Sequence, residues 1–167
     1  KKNRTILTFK GVNDFIDKRE IKFVSISTKW IYFSTMIGKS SETQKDIVNY
    51  AFKSGIKIAY NPSSYVTKKG AQAIKKILEK TEILVLNKEE AEDLVGKNDL
   101  FVKLRKLGPR IVCVTDGARG NSVFDGVNRF DSIPNKIKIV ERTGAGDAFA
   151  SGFIGEFISS NDIKRAV

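Results

Sequence analysis

Short runs of branched and aromatic residues alternate along this chain with stretches in which apolar positions recur every three to four residues. The first pattern predicts strands over 29–34, 56–60, 83–86 and 111–115, and the second predicts helices between them. A helix is expected over 42–54 with Ile47, Val48 and Ala51 inward and Gly55 as its stop, and another over about 67–80 that buries Ile74, Ile77 and Leu78. A short helix should follow Asn87, and 98–107 is amphipathic through Leu100, Leu104 and Leu107 before Gly108-Pro109 ends it. Asp125-Gly126 between apolar flanks marks a hairpin. Lys138-Ile139-Val140 reads as a strand end, and Phe149, Phe153 and Phe157 share one face of a closing helix. Strands without internal polar positions, alternating with helices, predict an α/β fold: a mostly parallel sheet covered on both faces. Ligands are expected beyond the carboxyl ends of its strands.

Chemistry concentrates at those ends. Between the strand end at Val140 and the closing helix stand Thr143, Gly144, Ala145, Gly146 and Asp147. The first amides of a helix lack intrahelical partners and the macrodipole is positive there, so small residues leave room for a phosphate held by backbone alone. Asp147 would then stand where it can take a proton from an attacking hydroxyl. The competing reading is structural, since Asp is a favoured N-cap and Gly a favoured turn residue. Asn87 and Glu90 carry the same ambiguity, because their spacing is that of a capping box. Thr115 to Gly120 reads either as a plain turn, with Gly117 and Gly120 there for backbone freedom, or as a loop whose glycines let a nucleotide approach while Thr115 donates a hydroxyl hydrogen bond. Arg119 is open between a phosphate contact and a solvent-facing side chain. Two other loops fail their templates. Gly38-Lys39-Ser40 lacks the first glycine of a Walker A loop, that position being Phe33, and Phe149 replaces the third glycine that Gly144 and Gly146 would need in a dinucleotide fingerprint.

Composition narrows the classes. At 167 residues with 41% hydrophobic content the chain suits a single domain. It contains no histidine, which removes Ser-His-Asp triads, Cys-His pairs and histidine-ligated metals, and leaves proton transfer to carboxylates or lysines. Cys113, the one cysteine, sits in an apolar run and reads as a buried small hydrophobe. A net charge of +11 raises a nucleic-acid reading. The lysines are dispersed over polar helix faces with no basic tract or aromatic platform, so that reading ranks last. No run approaches the length of a membrane span, and a soluble, cytoplasmic protein without a membrane partner is the expectation.

Thr143-Gly144-Ala145-Gly146-Asp147, followed by Ala148-Phe149 and Gly152, resembles the C-terminal signature of the ribokinase-like (PfkB) carbohydrate kinases. Asn87-Lys88-Glu89-Glu90 resembles the family's Asn-x-x-Glu motif, Thr115 to Gly120 its Thr-x-Gly-x-x-Gly loop, and Gly11-Val12-Asn13 its Gly-Ala-Asn segment. The resemblance implies a three-layer α/β/α domain and an ATP-dependent kinase acting on a hydroxyl of a sugar or nucleoside. In it Asp147 is the base, and Gly144, Ala145 and Gly146 form the anion hole. Asn87, Thr115, Gly117 and Gly120 attend the nucleotide, and Glu90 attends hydrated Mg2+. Glu141 and Thr143 stand where some relatives bind a monovalent cation such as K+, although Glu141-Arg142 departs from the usual Asp-Thr. The resemblance further implies a partial domain, without the N-terminal strand and lid region and without the C-terminal segment that closes on the adenine, and a homodimer formed through the lid in the complete protein. A catalytically silent nucleotide-binding fragment remains the alternative from another class.

Overall fold

The computed structural model describes residues 7, 9, 11–135 and 143–167. Six strands form one sheet in the order β1-β2-β3-β4-β5-β6. They are β1 (Trp30–Phe33), β2 (Lys57–Tyr60), β3 (Ile83–Asn87), β4 (Ile111–Thr115), β5 (Asn121–Phe124) and β6 (Arg129–Ser132). The first four run parallel, and β5 and β6 return antiparallel through the turn at Asp125-Gly126. The sheet is therefore mostly parallel at its core, as the unbroken apolar strands predict.

Helices α1 (Gly38–Lys53), α2 (Ser64–Thr67), α3 (Ala71–Leu78), α4 (Lys88–Val95) and α5 (Leu100–Lys106) connect the parallel strands, and α6 (Ala145–Ser160) and α7 (Ile163–Ala166) follow the hairpin. Alternate residues of each strand face opposite ways. Leu84, Leu86, Val112 and Val114 pack with Val48, Ile77, Leu78 and Leu104 on one face. Ile83, Val85, Ile111 and Cys113 pack with Phe153, Ile154 and Phe157 of α6 on the other. The three layers are thus α1–α5, the sheet, and α6 with α7. Phe149, Phe153 and Phe157 stack successively at 6.1 and 6.4 Å, one helical turn apart. Cys113 is fully buried, and burial pushes its thiol up to about 12.

Two helices differ from the sequence expectation. The helix expected over 67–80 is divided, because Gly70 takes φ +82° and caps α3 after α2 has ended at Thr67. Helix α1 begins at Gly38, ahead of the expected start at 42. Its first turns bury Ser40, Thr43 and Gln44, polar residues that break the apolar pattern. Their burial is compensated by hydrogen bonds. Ser40 Oγ accepts from Ile16 N–H at 2.8 Å, Thr43 Oγ1 donates to Ile16 C=O at 2.7 Å, and Gln44 Nε2 donates to Ser34 C=O at 3.1 Å. The first two bonds pin the segment before β1 across the start of α1, and the third ties the exit of β1 to the same helix. The strand end expected at Lys138-Ile139-Val140 lies outside the described residues.

Candidate active site at the carboxyl ends of the strands

β3 and β4 end side by side, with Asn87 registered against Thr115. Asn87 caps α4 as a complete capping box: Glu90 N–H donates to Asn87 Oδ1 at 2.9 Å and Asn87 N–H donates to Glu90 Oε2 at 3.0 Å. Glu90 is 8% exposed. Burial raises its carboxyl above the ordinary range, an effect opposed by backbone hydrogen bonds from Asn87 and Ser64. The structural reading of this pair is therefore realised. An ionised carboxylate offers about four acceptor sites, so two backbone donors do not exhaust Glu90.

Thr115 is half-buried, and its hydroxyl makes a long 3.5 Å contact to Leu86 C=O. After it the chain forms a tight 3-10 turn, Gly117–Arg119, closed by Asp116 N–H donating to Gly120 C=O at 2.7 Å. The two glycines differ in what they do. Gly117 has φ +56° and open space where a Cβ would point. Gly120 has φ +95°, and a Cβ there would lie 1.8 Å from the carbonyl oxygen of Ser132 on β6. Close approach of β6 is by itself enough to require glycine at 120.

Asp116 organises this loop and was not singled out by its sequence. It accepts from Arg119 Nε at 2.8 Å and Nη2 at 2.6 Å, and from Lys88 Nζ at 3.2 Å. The Arg119 hydrogen bonds, with Lys88 contributing less, hold its carboxyl down at about 2. Lys88 follows Asn87 directly, so this ion pair ties the Asn-x-x-Glu block to the Thr-x-Gly-x-x-Gly block. The signal available in the sequence was an acid next to a turn with a cation three residues on. Beside the loop lies a cleft of about 390 Å³ lined by Lys88, Asp116, Arg119, Gly120, Phe101 and Ile133 among others. That volume falls within the range of small-molecule pockets.

The third block begins α6. Gly144 is its N-cap in the left-handed region at φ +80°, with no side-chain cap, and Ala148 N–H donates to Gly144 C=O at 2.8 Å. Asp147 is therefore not the N-cap but the third helical residue, and residues 143–148 are all exposed. The first-turn amides of Ala145, Gly146 and Asp147 have no i−4 carbonyl within the helix. Two contacts orient the helix. Phe157, near its C-terminus, meets Trp30 at the start of β1 edge-on with ring centroids 6.2 Å apart. Phe157 and Asn161, at the C-terminal end of α6, also share a cleft with Ile111 at the start of β4. Helix α6 thus runs antiparallel to β1 and brings its N-terminus to the carboxyl end of the sheet, the end that carries Asn87 and Thr115. The cleft beside the loop does not include Gly144 or Asp147 in its lining. Glu141 lies outside the described residues. Among the described residues no group of three or more His, Cys, Asp or Glu side chains could hold a metal ion by itself.

Motif blocks at the carboxyl ends of parallel strands, and a small-residue turn opening a helix on the opposite face, stand where α/β domains of this layered type bind their ligands. The family match is direct: the description pfkB family carbohydrate kinase fits residues 1–167, and the chain belongs to that family. An uncharacterized sugar kinase of Archaeoglobus fulgidus is 33% identical over 173 residues, covering 99% of this chain and 67% of that protein. The ATP-dependent 6-phosphofructokinase of Thermoanaerobacterium thermosaccharolyticum is 29% identical over 161 residues, covering 89% of this chain and 49% of the relative. Among solved structures, aminoimidazole riboside kinase from Salmonella enterica superposes with a TM-score of 0.79 at 20% identity, over 99% of this chain and 61% of that one. The fold is shared at that level. The chain spans between half and two thirds of the length of these proteins. No described helix is long and apolar enough to cross a membrane.

Proposed function

We propose that this chain carries the phosphoryl-transfer half of a kinase that moves the γ-phosphoryl group of ATP to a hydroxyl of a sugar or nucleoside. The observation that carries the reading is the exposed start of α6, where Gly144, Ala145 and Gly146 present backbone amides and Asp147 stands one position further into the helix. Negative charge on a transferring phosphoryl group is stabilised by such preorganised donors, each commonly worth about 3 kcal/mol when removed. Asp147, solvent-facing and beside those amides, takes the proton of the acceptor hydroxyl as its oxygen attacks phosphorus. Thr115 and Gly117 border the nucleotide, with Asn87 next to Thr115 at the adjoining strand end. Gly120 lines the adjoining cleft and lets β6 close on that loop.

The acidic and amide residues present suit Mg2+ bound through water and phosphate oxygens, with Glu90 and Asn87 behind the water shell, in keeping with the preference of that ion for retained waters. Such an ion supplies charge neutralisation to the phosphates when bound. Thr143 carries the proposal for a K+ contact on the described part of the chain.

The test is ADP release with ATP and Mg2+ across pentoses, hexoses, sugar phosphates and nucleosides, using the full reading frame that contains this chain. Asp147→Asn should abolish acceptor-dependent ADP release while leaving ATP affinity within about threefold. Turnover near that of the unmodified protein would remove Asp147 from its role, and ATP binding with no acceptor-dependent turnover in the full-length protein would favour a nucleotide-binding function.

A further inference from the structure

A cavity of about 210 Å³ lies at the carboxyl end of β2, between the first turns of α1 and the α2–α3 pair. Its walls are largely apolar, with Met36, Val66, Ile74 and Ile77 among them, and Tyr60, the last residue of β2, also lines it. Tyr60 belongs to the cluster that packs under α1–α5, whereas α6 packs on the other face of the sheet. The cavity is therefore separate from the small-residue turn at Gly144.

Two polar side chains interrupt this apolar lining, and both are almost fully buried. Tyr60 is 1% exposed, and its hydroxyl has no hydrogen-bond partner among the described residues, which leaves a donor without an acceptor. Gln44 is 2% exposed and gives its Nε2 to Ser34 C=O at 3.1 Å, which leaves its Oε1 as an acceptor. Buried polar groups are costly to leave unpaired. One bound hydroxyl satisfies both, its oxygen accepting from Tyr60 and its hydrogen going to Gln44. At the mouth the chemistry changes. Lys69 is exposed, makes no ion pair among the described residues and stands over the Tyr65 ring, 4.2 Å from its centroid. Lys45 adds a second cation, paired at 2.8 Å with Glu42, which does not line the cavity. No Asp or Glu stands among the described lining residues, so the mouth favours an anion.

Size narrows the occupant. An apolar cavity of about 150 Å³ accommodates benzene, so this one has room for a single ring with a small substituent at each end. We propose that the cavity is a binding site for a small hydroxylated aromatic carboxylate, with the hydroxyl held between Tyr60 and Gln44 and the carboxylate at the Lys69 mouth. The hydroxyl contact sets the specificity, because a site that buries a donor and an acceptor for a hydroxyl rejects the analogue that lacks it. The site goes beyond the kinase reading and does not depend on it.

The experiment is a ligand-observed NMR titration of the full-length protein with 4-hydroxybenzoate, benzoate and 4-hydroxybenzyl alcohol. 4-Hydroxybenzoate should bind with a Kd on the order of 1 mM or tighter. Benzoate, without the hydroxyl, and 4-hydroxybenzyl alcohol, without the carboxylate, should each bind about fivefold more weakly or worse. Tyr60→Phe keeps the ring and removes the donor, so it should weaken 4-hydroxybenzoate about five- to tenfold and leave benzoate within about twofold. Lys69→Met should weaken 4-hydroxybenzoate about threefold and leave 4-hydroxybenzyl alcohol unchanged. Ala73 lines the cavity from an exposed position on α3, so Ala73→Trp should close the mouth and abolish binding without disturbing the core. Absence of saturable 4-hydroxybenzoate binding at about 10 mM overturns the proposal. So does binding that survives Ala73→Trp, which would place the ligand elsewhere, and so does a Tyr60→Phe variant that binds 4-hydroxybenzoate as the parent does. Ala73→Trp and the benzoate comparison decide the outcome even if Tyr60→Phe does not fold.

Discussion

Gly146→Ala should stabilise the fold and destroy its chemistry. Gly146 lies within α6, has no positive φ, and a Cβ built on it meets nothing within 4 Å. Nothing in the folded chain therefore requires glycine at this position. Replacing a helical glycine by alanine removes backbone entropy from the unfolded state and stabilises by about 0.5–1 kcal/mol. In a chain of this size that is a rise in Tm of roughly 1–4 °C. If phosphate oxygens approach this turn, the added methyl stands between them and the amide. Losing one such donor costs about 10²–10³ in kcat. Differential scanning fluorimetry and ADP release on the same preparation read both quantities. A variant that is at least as stable as the parent and retains its full rate would show that no phosphoryl group passes the Gly146 amide. A variant that loses stability would show that α6 does not begin as described. Ala145, adjacent in the same turn, shows that a methyl at its start is compatible with the helix.

Gly120→Ala should behave in the opposite way. The clash with Ser132 C=O and the φ of +95° together should cost about 2–4 kcal/mol, seen as a lower urea midpoint, and a variant as stable as the parent would mean that β6 does not close on the loop. Glu90→Gln tests the buried carboxyl through pH. The folded-state value of Glu90 is raised above its unfolded 4.5, so its contribution is most favourable below the unfolded value and is lost as pH rises through the folded value. The parent should therefore lose stability relative to Glu90→Gln between pH 4 and neutrality, in thermal melts on the full-length proteins. A constant difference across that range would show that Glu90 titrates normally.

Strands β3 and β4 were legible because both faces of the sheet are covered, which forces nearly every position to be apolar and leaves a run that only turn residues interrupt. The stack of Phe149, Phe153 and Phe157 was legible for a similar reason, one repeated side chain on one helix face. The start of α1 was not. Ser40, Thr43 and Gln44 are buried through hydrogen bonds to a segment more than twenty residues upstream or to the preceding strand end, and local periodicity carries no trace of such partners. The division of the helix over 67–80 rests on Gly70 adopting a left-handed φ, a choice glycine permits without dictating. Within the candidate site, Asn87, Glu90 and the α6 turn were identifiable by spacing. The structure showed further that Gly144 caps the helix, that Glu90 completes a capping box and that Gly120 is filled by Ser132. The contact of Lys88 on Asp116 escaped, because it joins residues 28 apart that meet only once β3 and β4 are paired, whereas the Arg119 contact lies three residues on and left a local signal.

The strand order of the sheet follows the order of the chain, and this has a consequence for biogenesis. During vectorial synthesis each strand can pair with the one made just before it, so the α1–α5 side can assemble progressively as the ribosome advances. The opposite side cannot. Ala59, Ile83, Val85, Ile111 and Cys113 must wait for α6, whose residues are made after the hairpin. Until then a broad apolar surface is open to solvent, and the nascent protein is most vulnerable to aggregation and most in need of chaperone protection. The helix that opens with the small-residue turn is also the one that seals this surface, so the residues proposed for catalysis take their place only after the six strands of the sheet have been made.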